Sequence, residues 1–361
     1  MSINHAIVYR KLHGSISEVY RDLPGSDLPS EWAQEIPGGT DGMLAYLAQN
    51  TPRNHCFLRV NAMGRDLFLR SVCSKSEFSV AQTYYSQKYL LDLSPDQVLN
   101  RFGELLQVEF YSEEAFNRAA VNAFEKPGGY VWSDEGMELR IPDNTLKAVL
   151  YGMLFRWYRK RSPVVVVVPE GVDYDAYTCA AVKAIYSYLP AGLRCLMGFM
   201  TYANPTNISE GVALVFVPAG QNYPGAILLD GTTTNIDPLL KNGLPQNAKD
   251  MFAALIGMEP EERKQVLEDI TSLVETGEDG KFVALSDLYI TNYTKYWLNQ
   301  SKGCENLNDP EDFALLKAFA SGQQRVSPHR AEQYTRMIRE EVKGEHLDRH
   351  FLDSARKLTD P

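Results

Sequence analysis

"SPVVVVVPEG", residues 162–171, is five consecutive valines fenced by prolines, and its reading decides the fold. β-Branched side chains suit a pleated surface, and proline cannot continue a strand ladder, so the run reads as a short β-strand. The strand leads into a loop, "PEGVDYD" (169–175), and then a helical stretch, "AYTCAAVKAIYSYL" (176–189). This is a strand–loop–helix unit, and in α/β proteins such a loop often grips a phosphate at the helix N-terminus. A phosphate cradle needs backbone N–H groups exposed by glycine and no competing negative charge. The loop has neither G-x-x-x-x-G-K-[ST] nor G-x-G-x-x-G. It places Glu170, Asp173 and Asp175 where the phosphate would sit. Those carboxylates complement the helix dipole themselves and repel an anion, with Asp173 at the N-cap position. The loop is therefore not expected to bind phosphate.

Outward from the valines, helices and strands alternate. Before them, "NTLKAVLYGMLFRWYRK" (144–160) sets Leu146, Val149, Leu150, Met153, Leu154 and Trp157 at helical spacing, with Asp143 as its cap. After the second helix, "LRCLMGFMTYA" (193–203), "GVALVFVPAG" (211–220) and "GAILLDG" (225–231) read as three more strands. Alternation of this kind implies a layered α/β domain with some parallel pairing. A valine run apolar on both faces implies a central strand covered on both sides.

The first portion mixes strands and helices. "NHAIVYRKL" (4–12) reads as an opening strand, and "HCFLRVNAMGRDLFLRSV" (55–72) as a hairpin turning near Gly64. "SPDQVLNRFG" (94–103) and "SEEAFNRAAVNAFE" (112–125) read as capped short helices, and "KPGGY" (126–130) as a break. From about Pro245 the strand signals fade. Residues 245–257, 259–276, 309–320 and 327–342 read as helices, three with proline as the second residue, in the first turn. The expected fold class is α/β and α+β multidomain. An α+β domain over residues 1–135 precedes a central layered α/β domain with a mixed sheet over 142–245, and a helical region spans 246–361.

Composition narrows the function. The 361 residues carry a formal charge of −10, which disfavours a nucleic-acid binder. The basic run "RWYRKR" (156–161) reads as cations at the negative end of a helix dipole. No secretory leader is visible, and the valine run is far shorter than the roughly 18 apolar residues of a membrane span. Five scattered cysteines without a C-x-x-C pair suit reduced thiols, and the expected location is cytoplasmic. His346 and His350 stand four apart, but no H-E-x-x-H pattern or third ligand accompanies them, so no metal and no cofactor is expected. No G-x-S-x-G is present. Glu170 follows the valine strand and Asp230 ends "GAILLDG". If those strands are parallel neighbours, both carboxylates sit at one sheet edge, where a pair can do acid–base work. A hydrolase or transferase using Glu170 and Asp230 is accordingly the alternative to a binding role.

"VVVVVPEG…AIYSYLPAGLRCLMGFMTYANP" resembles the middle region of the GTPase-associated proteins of bacterial conflict systems. The carrying residues are Leu189, Pro190, Arg194, Phe199, Thr201 and Tyr202. The N-terminal portion resembles the family less closely: "AQTYYSQKYLLD" (81–92) lacks the histidine of the family's corresponding segment. The resemblance implies a scaffold or sensor in defence against phage, working with a GTPase on another chain, and no reaction. Arg194, Thr201 and Tyr202 are then the candidates for partner or ligand contact, Arg194 because a guanidinium can take a carboxylate or phosphate bidentately.

Overall fold

The computed structural model describes residues 5–13, 16–22, 55–62, 65–75, 82–91, 132–159, 162–190, 193–194, 197–202, 211–220, 223–233, 235–241, 243–244, 246–273, 316 and 332–337. The helices expected at 94–103 and 112–125, and the His346–His350 pair, lie outside these residues. Contacts divide the chain into two compact units, Met1–Pro245 and Gln246–Pro361.

Among the described residues, the first unit is organised by an eight-stranded sheet. Its strands are β1 (His5–His13), β2 (Ile16–Asp22), β3 (His55–Ala62), β4 (Arg65–Lys75), β5 (Gln82–Leu91), β6 (Val164–Val168), β7 (Gly198–Met200) and β8 (Val212–Pro218). The order across the sheet is β2-β1-β5-β4-β3-β7-β8-β6. β3 and β4 form the expected hairpin, pairing antiparallel from His55 with Val72 to Ala62 with Arg65. β3 also pairs antiparallel with β7, while β7–β8 and β8–β6 are parallel. The parallel strands carry α1 (Asp143–Arg159) and α2 (Tyr174–Tyr186), an α/β arrangement. α1 packs on β6 and β8, and α2 on β6. Close approach of α1 to the sheet depends on Gly152, where an added Cβ would stand 2.6 Å from a Val164 methyl.

The valine strand is not where its composition suggests. β6 ends the order of named strands, and burial on both faces falls instead on β7 and β8, with every residue of Gly198–Met200 and from Val212 to Val217 buried. In β6, Val164, Val166 and Val168 are buried while Val165 and Val167 are half-buried. "GAILLDG" forms no full strand. It contributes one parallel bridge, Ile227 to Val166, in which Ile227 N–H donates to Val165 O and Val167 N–H donates to Ile227 O, both at 2.9 Å. That bridge pairs the Val165 carbonyl and the Val167 N–H on the side of β6 away from β8, so a terminal position among the named strands and a wholly apolar run are compatible. Likewise, of the described residues in "LRCLMGFMTYA", Gly198–Met200 are strand, and Met197 N–H just before them donates to Leu193 O at 2.9 Å.

α2 shows why the loop before it is acidic. Asp173 has extended backbone angles (φ −64°, ψ 114°), and its Oδ1 accepts from the N–H groups of Asp175 and Ala176, each at 3.0 Å. The helix thus carries a carboxylate cap at its own N-terminus. Asp173→Ala should cost about 0.5–2 kcal/mol, read as a drop in the urea midpoint at unchanged m-value. Asp173→Asn, which keeps the acceptor, should lose only a fraction of that.

In the second unit, α4 (Gln246–Gly257) buries Met251, Phe252 and Leu255, and α5 (Pro260–Leu273) opens with proline and two acidic residues, Glu261 and Glu262. Residues 332–337 are also helical. A four-residue helix, α3 (Asp237–Leu240), belongs to the first unit and packs on α1.

Candidate functional site

Two groups of side chains bear on function: the buried seam built from the "LPAGLR" and "GFMTY" stretches, and the exposed edge where β6 ends.

The seam begins where α2 stops. Leu189 N–H donates to Tyr186 O at 3.0 Å and Arg194 N–H to Pro190 O at 3.0 Å, turning the chain back toward the sheet. The Arg194 side chain is 6% exposed, and its Nε donates to Leu189 O at 2.7 Å, closing that turn. The Arg194 carbonyl in turn accepts from Nη1 of Arg59, a buried residue of β3. Beyond the short β7 ladder, Thr201 N–H donates to Phe57 O while Phe57 N–H donates to Thr201 Oγ1, both at 2.9 Å. A side-chain hydroxyl thus extends the pairing of β3 with β7 past the end of the strand. The Tyr174 hydroxyl donates to Thr201 O at 2.9 Å, and the Cys56 thiol to Tyr202 O at 3.2 Å. The Tyr202 ring lies tilted against Tyr174 at 6.3 Å between centroids.

Aromatic residues fill the space behind these bonds. Trp132 is fully buried, stacked on Phe57 at 4.8 Å and tilted against Phe199 at 5.6 Å. Tyr186 meets Phe199 edge-on at 5.7 Å, the geometry favoured by the ring quadrupoles. The Trp132 indole N–H donates to Asp175 O at 2.9 Å, and Asp134 pairs with Lys183 at 2.5 Å. The segment around residues 132–134 therefore clips β3 to α2. Arg194, Thr201 and Tyr202 come together in this seam, and each is buried and hydrogen-bonded within the chain. Sequence patterns do not point to Arg59, Trp132 or Tyr174: the first sits inside an ordinary hairpin strand and the second in a break between elements. Only the completed sheet brings them to "GFMTY".

Glu170 and Asp230 follow the carboxyl ends of two segments joined by the Val166–Ile227 bridge, and both are exposed. Glu170 Oε1 lies 3.9 Å from the position a Cβ on Gly220 would take. Asp230 forms an Asx-type turn: its Oδ1 accepts from Thr232 N–H at 2.9 Å and from Thr232 Oγ1 at 2.7 Å. Those bonds, the backbone one foremost, hold its carboxyl below the usual carboxylate range. An exposed carboxyl kept ionised by its own turn is poorly suited to deliver a proton.

Tyr177, buried on α2, senses that carboxylate. Burial first, and then the charge of Asp230, push its phenol up to about 12. The folded state holds this proton longer than the unfolded chain, whose phenol titrates near 10. Its contribution is complete below about pH 10 and is lost as pH rises toward 12. The Cys179 thiol, also raised to about 12 chiefly by burial, adds to the same alkaline loss. In thermal melts from pH 9 to 12, Tyr177→Phe should show a shallower decline of Tm than the parent. An identical slope would show that Tyr177 does not ionise on unfolding.

Residues 136–235 match the family model of GTPase-associated protein 1, middle domain. The match runs from just before α1 past Asp230 and supports a GTPase-associated family. It begins four residues after Trp132 and does not reach Phe57 or Arg59, so the seam joins matched and unmatched parts of the chain. No curated protein matches the chain. Among the described residues, no helix is long and apolar enough to cross a membrane, and no three His, Cys, Asp or Glu residues are grouped to hold a metal ion.

Proposed function

We propose that this chain is a non-catalytic scaffold or sensor subunit of a bacterial conflict system, acting in the cytoplasm with a GTPase on another chain. The carrying observation is the match of residues 136–235 to the middle domain of GTPase-associated protein 1. The seam is consistent with it. Three of the residues that carry the resemblance, Arg194, Thr201 and Tyr202, serve to hold β3, β7 and the end of α2 in one arrangement. A rigid scaffold is what a recognition surface needs, because ordering a loop on binding costs affinity.

The alternative, a hydrolase or transferase using Glu170 and Asp230, draws on their shared sheet edge. Exposure of both groups and the Thr232-bonded state of Asp230 weigh against it.

The test is to express the tagged full chain in its native host and identify what co-purifies with and without GTP. A GTPase recovered at stoichiometric yield, and retained by a Glu170→Gln, Asp230→Asn double variant, is the expected result. A chain that emerges without a GTPase in either nucleotide state would refute the partnership.

A further inference from the structure

We draw no further inference here: the strongest candidate, the loop edge where Glu170, Asp173 and Asp230 follow the ends of the parallel segments, offers exposed carboxylates alone, and nothing in the structure shows what covers it.

Discussion

Gly198→Ala is expected to abolish cooperative folding of the first unit. Gly198 opens β7, which is held between β3 and β8. Its N–H donates to Gly211 O at 2.7 Å. A Cβ at this position would stand 2.7 Å from that same carbonyl oxygen and closer still to the carbonyl oxygen of Arg59. Both obstacles are backbone, one on β3 and one in the residue just before β8, so the new methyl cannot be relieved by turning a side chain. Ordinary overpacking costs about 1–3 kcal/mol. Here the relief requires parting a ladder, and the loss should exceed about 4 kcal/mol, a large share of the roughly 5–15 kcal/mol that holds a domain together. The variant should appear in the insoluble fraction or melt without a cooperative transition. Gly152→Ala is the graded comparison, because the atoms it meets are side-chain methyls of Val164 and Leu239 and not backbone. Gly243→Ala is the control, having nothing within 4 Å, and should melt like the parent. A soluble Gly198→Ala protein with an unchanged Tm would mean that β7 does not lie between these carbonyls.

Trp132→Ala should produce the second largest loss, about 3–5 kcal/mol. The substitution empties the space between Phe57 and Phe199 and removes the donor to Asp175 O. Trp132→Phe separates the two contributions. It keeps an aromatic ring for stacking but removes the indole donor to the Asp175 carbonyl, which the Thr178 hydroxyl also meets at 3.1 Å. Its cost should fall near 1–3 kcal/mol. Chemical denaturation monitored by far-UV circular dichroism measures both, since the fluorescence of this tryptophan is itself altered. Trp132 also bears on where the chain can be cut. A fragment trimmed to the family match, residues 136–235, lacks Trp132, Phe57 and Arg59 together, and it exposes the β3-facing side of β7. Such a fragment should unfold without cooperativity, whereas one that keeps residues 1–245 should not.

The elements nearest the valine run were legible because their signals are local. A helix over 144–160 follows from the spacing of Leu146, Val149, Leu150, Met153 and Leu154, all five buried in the structure. The Asp173 cap follows from a carboxylate at the start of a helical pattern, and the β3–β4 hairpin from two β-prone runs around Gly64. The rank of each strand in the sheet was not legible. β-Propensity records that a side chain fits a pleated surface, and it is silent on which neighbour pairs with it. Five valines therefore suggested the centre of the sheet, although β7 and β8 occupy the two-sided positions and Ile227 protects β6 with a single bridge.

The candidate site divides in the same way. Glu170 and Asp230 were found from strand ends, and their placement at the carboxyl ends of two bridged segments was implied by parallel pairing. Whether their carboxyls are buried depends on what packs over them, and no spacing rule records that. Arg194 illustrates the point most directly. In the chain it is a cation after a Pro–Gly turn, open to a partner's carboxylate or a phosphate. In the fold its Nε is committed to Leu189 O, five residues back, and its carbonyl to Arg59, 135 residues away.

By itself the sequence determined the local elements of this protein: the valine strand, the self-capped helix that comes after it, the hairpin, and the absence of a phosphate-binding pattern in the loop. These depend on side-chain periodicity and on hydrogen bonds spanning a few residues, which the chain carries within each segment. Tertiary structure alone decided the order of the strands, the burial of Arg194, Thr201 and Tyr202, and the role of Trp132 as a clip between β3 and α2. Those outcomes rest on contacts between residues far apart in sequence, such as Phe57 with Thr201, 144 residues distant. Such contacts form only once the loop-closure entropy has been met by burying the whole seam at once.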